Sequence, residues 1–129
     1  IPQQPTSHAG VNKQALLPSF GIAENVAGLS IASVEPGMYI DWHHHPTMYE
    51  FFYVLEGEGY VSFSKNIPEG DLVPHPDVAT NVETQTLRKG SFLQISPGEF
   101  HKFEVENDDD ADPLQMIYFG ITTDGNQSR

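Results

Sequence analysis

From Ile22 to Ile121 the apolar residues come in short runs, each cut by a cluster of glycine, proline or acidic residues. Leu29 to Val34 alternates apolar and small polar positions, and His101-Lys-Phe-Glu-Val105 alternates cleanly, which puts His101, Phe103 and Val105 on one face. A period of two is the signature of a strand with one buried side. Glu50 to Leu55 reads the same way, with Glu50, Phe52 and Val54 facing inward, followed by strands at Tyr60–Phe63, Thr84–Leu87 and Ser91–Ile95. Leu114 to Ile121 is continuously apolar and predicts a final strand. Between these runs, Glu35-Pro36-Gly37, Gly57-Glu58-Gly59, Lys89-Gly90 and Ser96–Phe100 read as turns, and Glu106–Asp112 as a dense acidic one. No stretch carries a helical period, an internal repeat or a heptad. The pattern predicts an all-β, antiparallel barrel or sandwich.

The ends and the middle differ from this. Residues 1–20 are polar with scattered prolines and keep neither period, so they read as an arm with Ala15, Leu16, Leu17 and Phe20 as apolar anchors on the barrel or on a neighbouring subunit. Residues 21–122 form the barrel, and 123–129 a frayed polar tail. Asn66 to about Val82 is rich in proline and acid, a long excursion that is either an added hairpin or a lid.

The candidate chemistry lies in Tyr39–Glu50. Alternation along a strand turns His43 and His45 to one side together with Tyr39 and Asp41, and His44 to the other. Five residues past His45, beyond a Pro46-Thr47 turn, Glu50 opens the next strand. Two imidazoles and a carboxylate brought together by a tight hairpin are ligands for one divalent metal. The competing reading is a solvated histidine trio. Asp41 is placed to orient an imidazole through its free N–H, or else to face water at a strand edge. His8 in the arm and His75 in the excursion read as surface residues, with His75 able to act as acid or base if the excursion is a lid.

Gly37, His43, His45, Glu50 and Gly57, in the spacing Gly-x5-His-x-His-x4-Glu-x6-Gly, resemble the first motif of the cupin family. Gly90 through His101 is similar to the second, with Gly90, Gly98 and His101 in register. Ser96 stands where that motif has proline, Pro97 follows one place late, and Val105 replaces its usual asparagine. The resemblance implies a double-stranded β-helix with His101 as the remaining ligand beside His43, His45 and Glu50. It implies one divalent transition metal, Fe, Mn, Ni, Co or Zn, with Glu50, Asp41 and Tyr39 as catalytic candidates. Phe52, Tyr53, Val54, Phe103 and Tyr118 are expected to line the substrate pocket, core first and contacts second. The activity implied is a metal-dependent enzyme acting on a small molecule, foremost a dioxygenase-type oxidoreductase. The alternatives are a non-redox lyase, isomerase or cyclase, and a ligand-binding or sensing module without turnover. A homodimer is expected from the arm's apolar anchors and from the association common among small cupins.

Composition narrows the partners. Eighteen acidic residues against six basic give a formal charge of −12, which repels phosphate backbones and anionic lipid, so neither nucleic acid nor membrane is an expected partner. No apolar run reaches the roughly 20 residues of a membrane span. With no cysteine, thiolate catalysis and cysteine-ligated zinc are excluded, while cytoplasmic and secreted settings both stay open. A start at Ile1 rather than Met is compatible with a removed leader. Asp108–Asp110 with Asp112 lacks the spacing of an EF-hand loop and reads as solvated.

Overall fold

The computed structural model describes residues 3–6, 8–17, 23–66 and 80–123. They form ten strands and no helix: β1 (Gln4–Pro5), β2 (Val11–Leu17), β3 (Val26–Val34), β4 (Tyr39–His43), β5 (Met48–Glu56), β6 (Gly59–Asn66), β7 (Thr80–Leu87), β8 (Phe92–Ile95), β9 (Phe100–Glu104) and β10 (Leu114–Thr122). All neighbours run antiparallel in two sheets, six strands in the order β1-β2-β3-β10-β5-β8 and four in the order β4-β9-β6-β7. Sequence-adjacent β4 and β5 lie in different sheets, so the short Pro46-Thr47 turn carries the chain across the core. This two-sheet jelly roll is the expected architecture.

The core fills the space between the sheets, where Val54, Val61, Phe103, Leu114 and Met116 are all at most 1% exposed. Burying a side chain of that size contributes about 1.5–3 kcal/mol relative to leaving it in water. Phe52 packs against Phe103 at 4.9 Å and stacks on Tyr118 at 5.2 Å, joining the two sheets through aromatic rings. Val105, where the second motif has asparagine, belongs to the same core.

Two expectations need correction. Residues 4–5 and 11–17 are not a separate arm but strands of the larger sheet: β2 pairs with β3 from Val11↔Val34 to Leu17↔Leu29, and Val11 joins the core. The polar run Asn12-Lys13-Gln14 hid a strand that is half-exposed along its length. The excursion is also shorter than expected, because β6 runs to Asn66 and β7 begins at Thr80, the two paired at the root of the loop. His75, Phe20 and the tail beyond Thr123 lie outside the described residues.

Candidate metal centre

The second half of the site is built by β9 against β4. His101 sits at register with His43 on β4 and with Phe63 on β6, and it is fully buried. Glu50 enters from the opposite sheet, between Ile95 of β8 and Gly120 of β10, and is 6% exposed. A direct tie holds the two motifs together, since Gly98 N–H donates to the His45 carbonyl at 2.8 Å. Gly98 makes this turn with φ +77°, a backbone shape that L side chains rarely adopt. Ser96, in place of proline, has an N–H free to donate to the Glu99 carboxylate at 3.1 Å, so the side chain of Glu99 braces the turn that proline would have stiffened.

His43, His45, Glu50 and His101 each turn one ligand atom inward, and those atoms all lie within 4.8 Å of one another. The tautomers are set locally. Nδ1–H of His43 donates to the carbonyl of Asp41 at 2.7 Å, and Nδ1–H of His101 to that of Glu99 at 2.9 Å. Each bond leaves Nε2 with a bare lone pair, the form a metal requires. Glu50 Oε1 is 3.1 Å from His45 Nε2 and 3.4 Å from His101 Nε2. Close as these atoms are, Oε1 of Glu50 and Nε2 of His101 are buried without an aligned hydrogen bond. The distances alone would suggest ion pairs, but Glu50 Oε1 and His101 Nε2 make no aligned hydrogen bond, and the four ligand atoms gather as one cluster.

The electrostatics agree. Burial, then the neighbouring His101, lowers the pKa of His43 from its ordinary value to about 4, so the ring is neutral near pH 7. Burial by itself would raise the carboxyl of Glu50, yet in the metal-free chain His101 and His45, where they carry a proton toward it, outweigh burial and lower it to about 2. Leaving a buried carboxylate oxygen unpaired costs several kcal/mol. A divalent cation at the convergence point removes that cost and takes up all four lone pairs, so the residues fit a metal.

The cupin-domain family model matches residues 30–73, which contain the whole first motif. Solved structures agree along nearly the full chain. A predicted oxalate decarboxylase from Thermotoga maritima superposes with TM-score 0.71 at 18% identity, over 95% of this chain and 93% of its own. The matched segment resembles the cupin domain, and the fold of the chain is one it shares with a cupin superfamily protein from Desulfitobacterium hafniense. The chain is similar also to the polyketide cyclase RemF of Streptomyces resistomycificus (TM-score 0.65, 15% identity, 99% of this chain and 83% of that one). The DMSP lyase DddQ of Ruegeria pomeroyi shares the fold as well, with TM-score 0.63 and 16% identity over 95% of this chain and 56% of that one. No curated protein sequence matches it significantly.

A cavity of about 360 Å³ borders His43, His45 and Glu50, at the lower end of the roughly 300–1,000 Å³ usual for small-molecule sites. Phe52, Phe103 and Tyr118 line it, as the sequence suggested. Val54 is buried in the core and Tyr53, 43% exposed, lies on the outer face of the sheet, so neither reaches the cavity. Tyr39 and Asp41 are corrected likewise. The β4–β9 register shifts between Ile40 and His43, so these two share the inner face although they stand three apart. Tyr39 is left 52% exposed, opposite Glu104 and beneath the Lys102 ammonium. Asp41 is exposed, its carboxylate accepting from Trp42 N–H, and only its backbone carbonyl orients His43. His44 packs against Phe100 with tilted rings whose centroids are 4.4 Å apart, and it is not among the converging ligands. Ile40, Met48, His8 and Lys13 line the cavity and were not foreseen. A one-residue bulge has no sequence signal here, and the polar run hid the strand that carries Lys13.

Proposed function

We propose that this chain is a metal-dependent cupin enzyme in which His43, His45, His101 and Glu50 hold one divalent ion, Fe, Mn, Ni, Co or Zn, beside a pocket for a small organic molecule. The observation carrying this reading is the pair of buried, unaligned atoms, Glu50 Oε1 and His101 Nε2, within the one cluster of ligand atoms. When bound, such an ion supplies Lewis acidity toward a substrate oxygen and, if it is redox-active, an electron path to O₂. The protein's part is to fix the ring tautomers of His43 and His101 through the carbonyls of Asp41 and Glu99, and to present an apolar wall beside them. Phe52, Phe103 and Tyr118 present aromatic faces there, which suits a substrate with an unsaturated or aromatic portion.

A dioxygenase-type oxidation fits this ligand set and wall. A second reading, a non-redox lyase, isomerase or cyclase, is favoured by the likeness to proteins described as a cyclase and a lyase. Oxygen consumption separates the two. Metal-free protein reconstituted under nitrogen and screened with aromatic and enolic compounds should take up O₂ on the first reading, and form product without uptake on the second. A chain that is stabilised by a compound but forms no product whichever metal is loaded is a sensor, and the enzyme reading falls.

We infer further that the chain forms a homodimer through the outer face of the six-stranded sheet. Phe51 stacks there between Phe92 at 6.2 Å and Phe119 at 5.0 Å, Phe92 is 65% exposed, and Tyr53 lies alongside.

A further inference from the structure

The cavity has two chemically unequal walls. One is the aromatic cluster of Phe52, Phe103 and Tyr118, and the other is contributed by the β1–β2 hairpin, with His8 and Lys13. We propose that His8 and Lys13 form a subsite beside the metal ligands that takes the carboxylate of a small aromatic acid. This rests on the metal-centre reading above and goes beyond it by naming the charge of the substrate.

Lys13 stands on the cavity side of β2. Its partner across the ladder is Ala32 of β3, which is buried and lines the same cavity. The other lysines with described side chains, Lys89 and Lys102, are paired with Glu56 and Glu104 at 3.3 and 2.7 Å. Lys13 has no such partner among the described residues, in a chain where carboxylates outnumber cations three to one. The carboxylate on the cavity wall, Glu50, is already committed to the imidazoles. His8 is set by the Thr6 hydroxyl, which shares its proton between the carbonyls of His8 and Val11 at 3.2 and 3.0 Å and accepts the N–H of His8 at 3.1 Å. Only the backbone of His8 is used in this way. Its ring lies 6.4 Å from that of His43 and makes no hydrogen bond among the described residues. A neutral imidazole carries one N–H to donate, so the contact requires no change of protonation.

Charge favours the same occupant. A net charge of −12 repels anions from the surface. Inside the cavity the balance reverses, because a divalent ion and Lys13 together outweigh Glu50. An anion that enters meets Lys13, exposed at the cavity edge, the imidazole of His8, and the aromatic rings of Phe52, Phe103 and Tyr118 in one lining.

The test uses the full chain loaded with Co(II), with benzoate and its uncharged isostere benzamide as calorimetric probes. Benzoate should bind about tenfold or more tightly than benzamide, the worth of one charge-assisted contact. Lys13→Met should remove that preference, leaving benzamide affinity and bound cobalt unchanged, and Lys13→Arg should restore it. His8→Phe should lower benzoate affinity by a smaller factor. Benzoate binding no tighter than benzamide, or absent, or unaffected by Lys13→Met overturns the subsite while the metal centre stands. A wild-type chain that takes up no cobalt fails one step earlier, at the metal-centre reading itself.

Discussion

The two ends of the barrel differ in a way that volume alone would misjudge. The larger cavity, about 530 Å³, lies not at the histidines but at the far end, between the Gly57–Gly59 turn, Arg88, Lys89 and the acidic loop at 108–112. There the polar groups are answered locally. Lys89 pairs with Glu56, Tyr60 O–H donates to Glu106 at 2.7 Å, and Asp110 N–H donates to Asp108. At the histidine end the cavity is smaller, about 360 Å³, yet a buried carboxylate oxygen and a buried imidazole nitrogen converge without an aligned bond. A site is marked by converging, unmet polar atoms in a low-dielectric setting rather than by empty space.

The largest effect expected from this contrast is on metal binding. His101→Ala and His45→Ala should each lower metal affinity well over ~10-fold, since even hydrogen-bond partners of ligands cost about 10–100-fold. Glu50→Ala should be milder, and the double change Asp108→Asn with Asp110→Asn should do nothing. Equal metal content by elemental analysis in all these variants would erase the distinction between the ends. The far end should instead answer in stability. Gly57 has φ +84°, and a Cβ there would run into Pro113 O and lie 2.9 Å from Leu114 Cα, both backbone atoms. Gly57→Ala should therefore cost on the order of 3 kcal/mol, lowering the melting midpoint by about 10 °C with metal stoichiometry intact. A midpoint within a degree or two of wild type counts against that geometry.

Assembly should be separable from both ends. Phe92→Glu should turn a dimer into a monomer in light scattering at micromolar concentration, while the loaded metal remains. A wild-type monomer would remove the interface. The smallest effect concerns pH in the metal-free chain. His43 is depressed to about 4 and Glu50 to about 2, so for each the unfolded chain binds more protons than the folded one below its ordinary value. Stability should fall with acidification, first between about pH 6.5 and 4 through His43 and then between about pH 4.5 and 2 through Glu50. His43→Gln should flatten the upper window only. A slope unchanged by that substitution would mean that burial does not hold the imidazole neutral.

The strands of the barrel and the four converging residues were readable along the chain because both depend on short-range regularities. Alternation marked β5 and β9, and the motif spacing marked His43, His45, Glu50 and His101. Parity failed where the backbone slipped out of register. The shift between Ile40 and His43 sent Tyr39 and Asp41 outward, and nothing in Tyr-Ile-Asp-Trp-His announces it. The N-terminal strand failed for a different reason. Only Val11 of its inner face reaches the core, and Lys13 two residues on is exposed at the cavity edge, so it carries no apolar stripe. Alternation of apolar residues reports a strand with one face in the core, and β2 has no such alternation.

The most direct test of the metal centre is an anomalous difference map from a crystal grown with Co(II), collected on both sides of the cobalt absorption edge. One peak per chain, in bonding contact with Nε2 of His43, His45 and His101 and with the Glu50 carboxylate, is the expected result. No peak there, or a peak held instead by the acidic loop at 108–112, would contradict it.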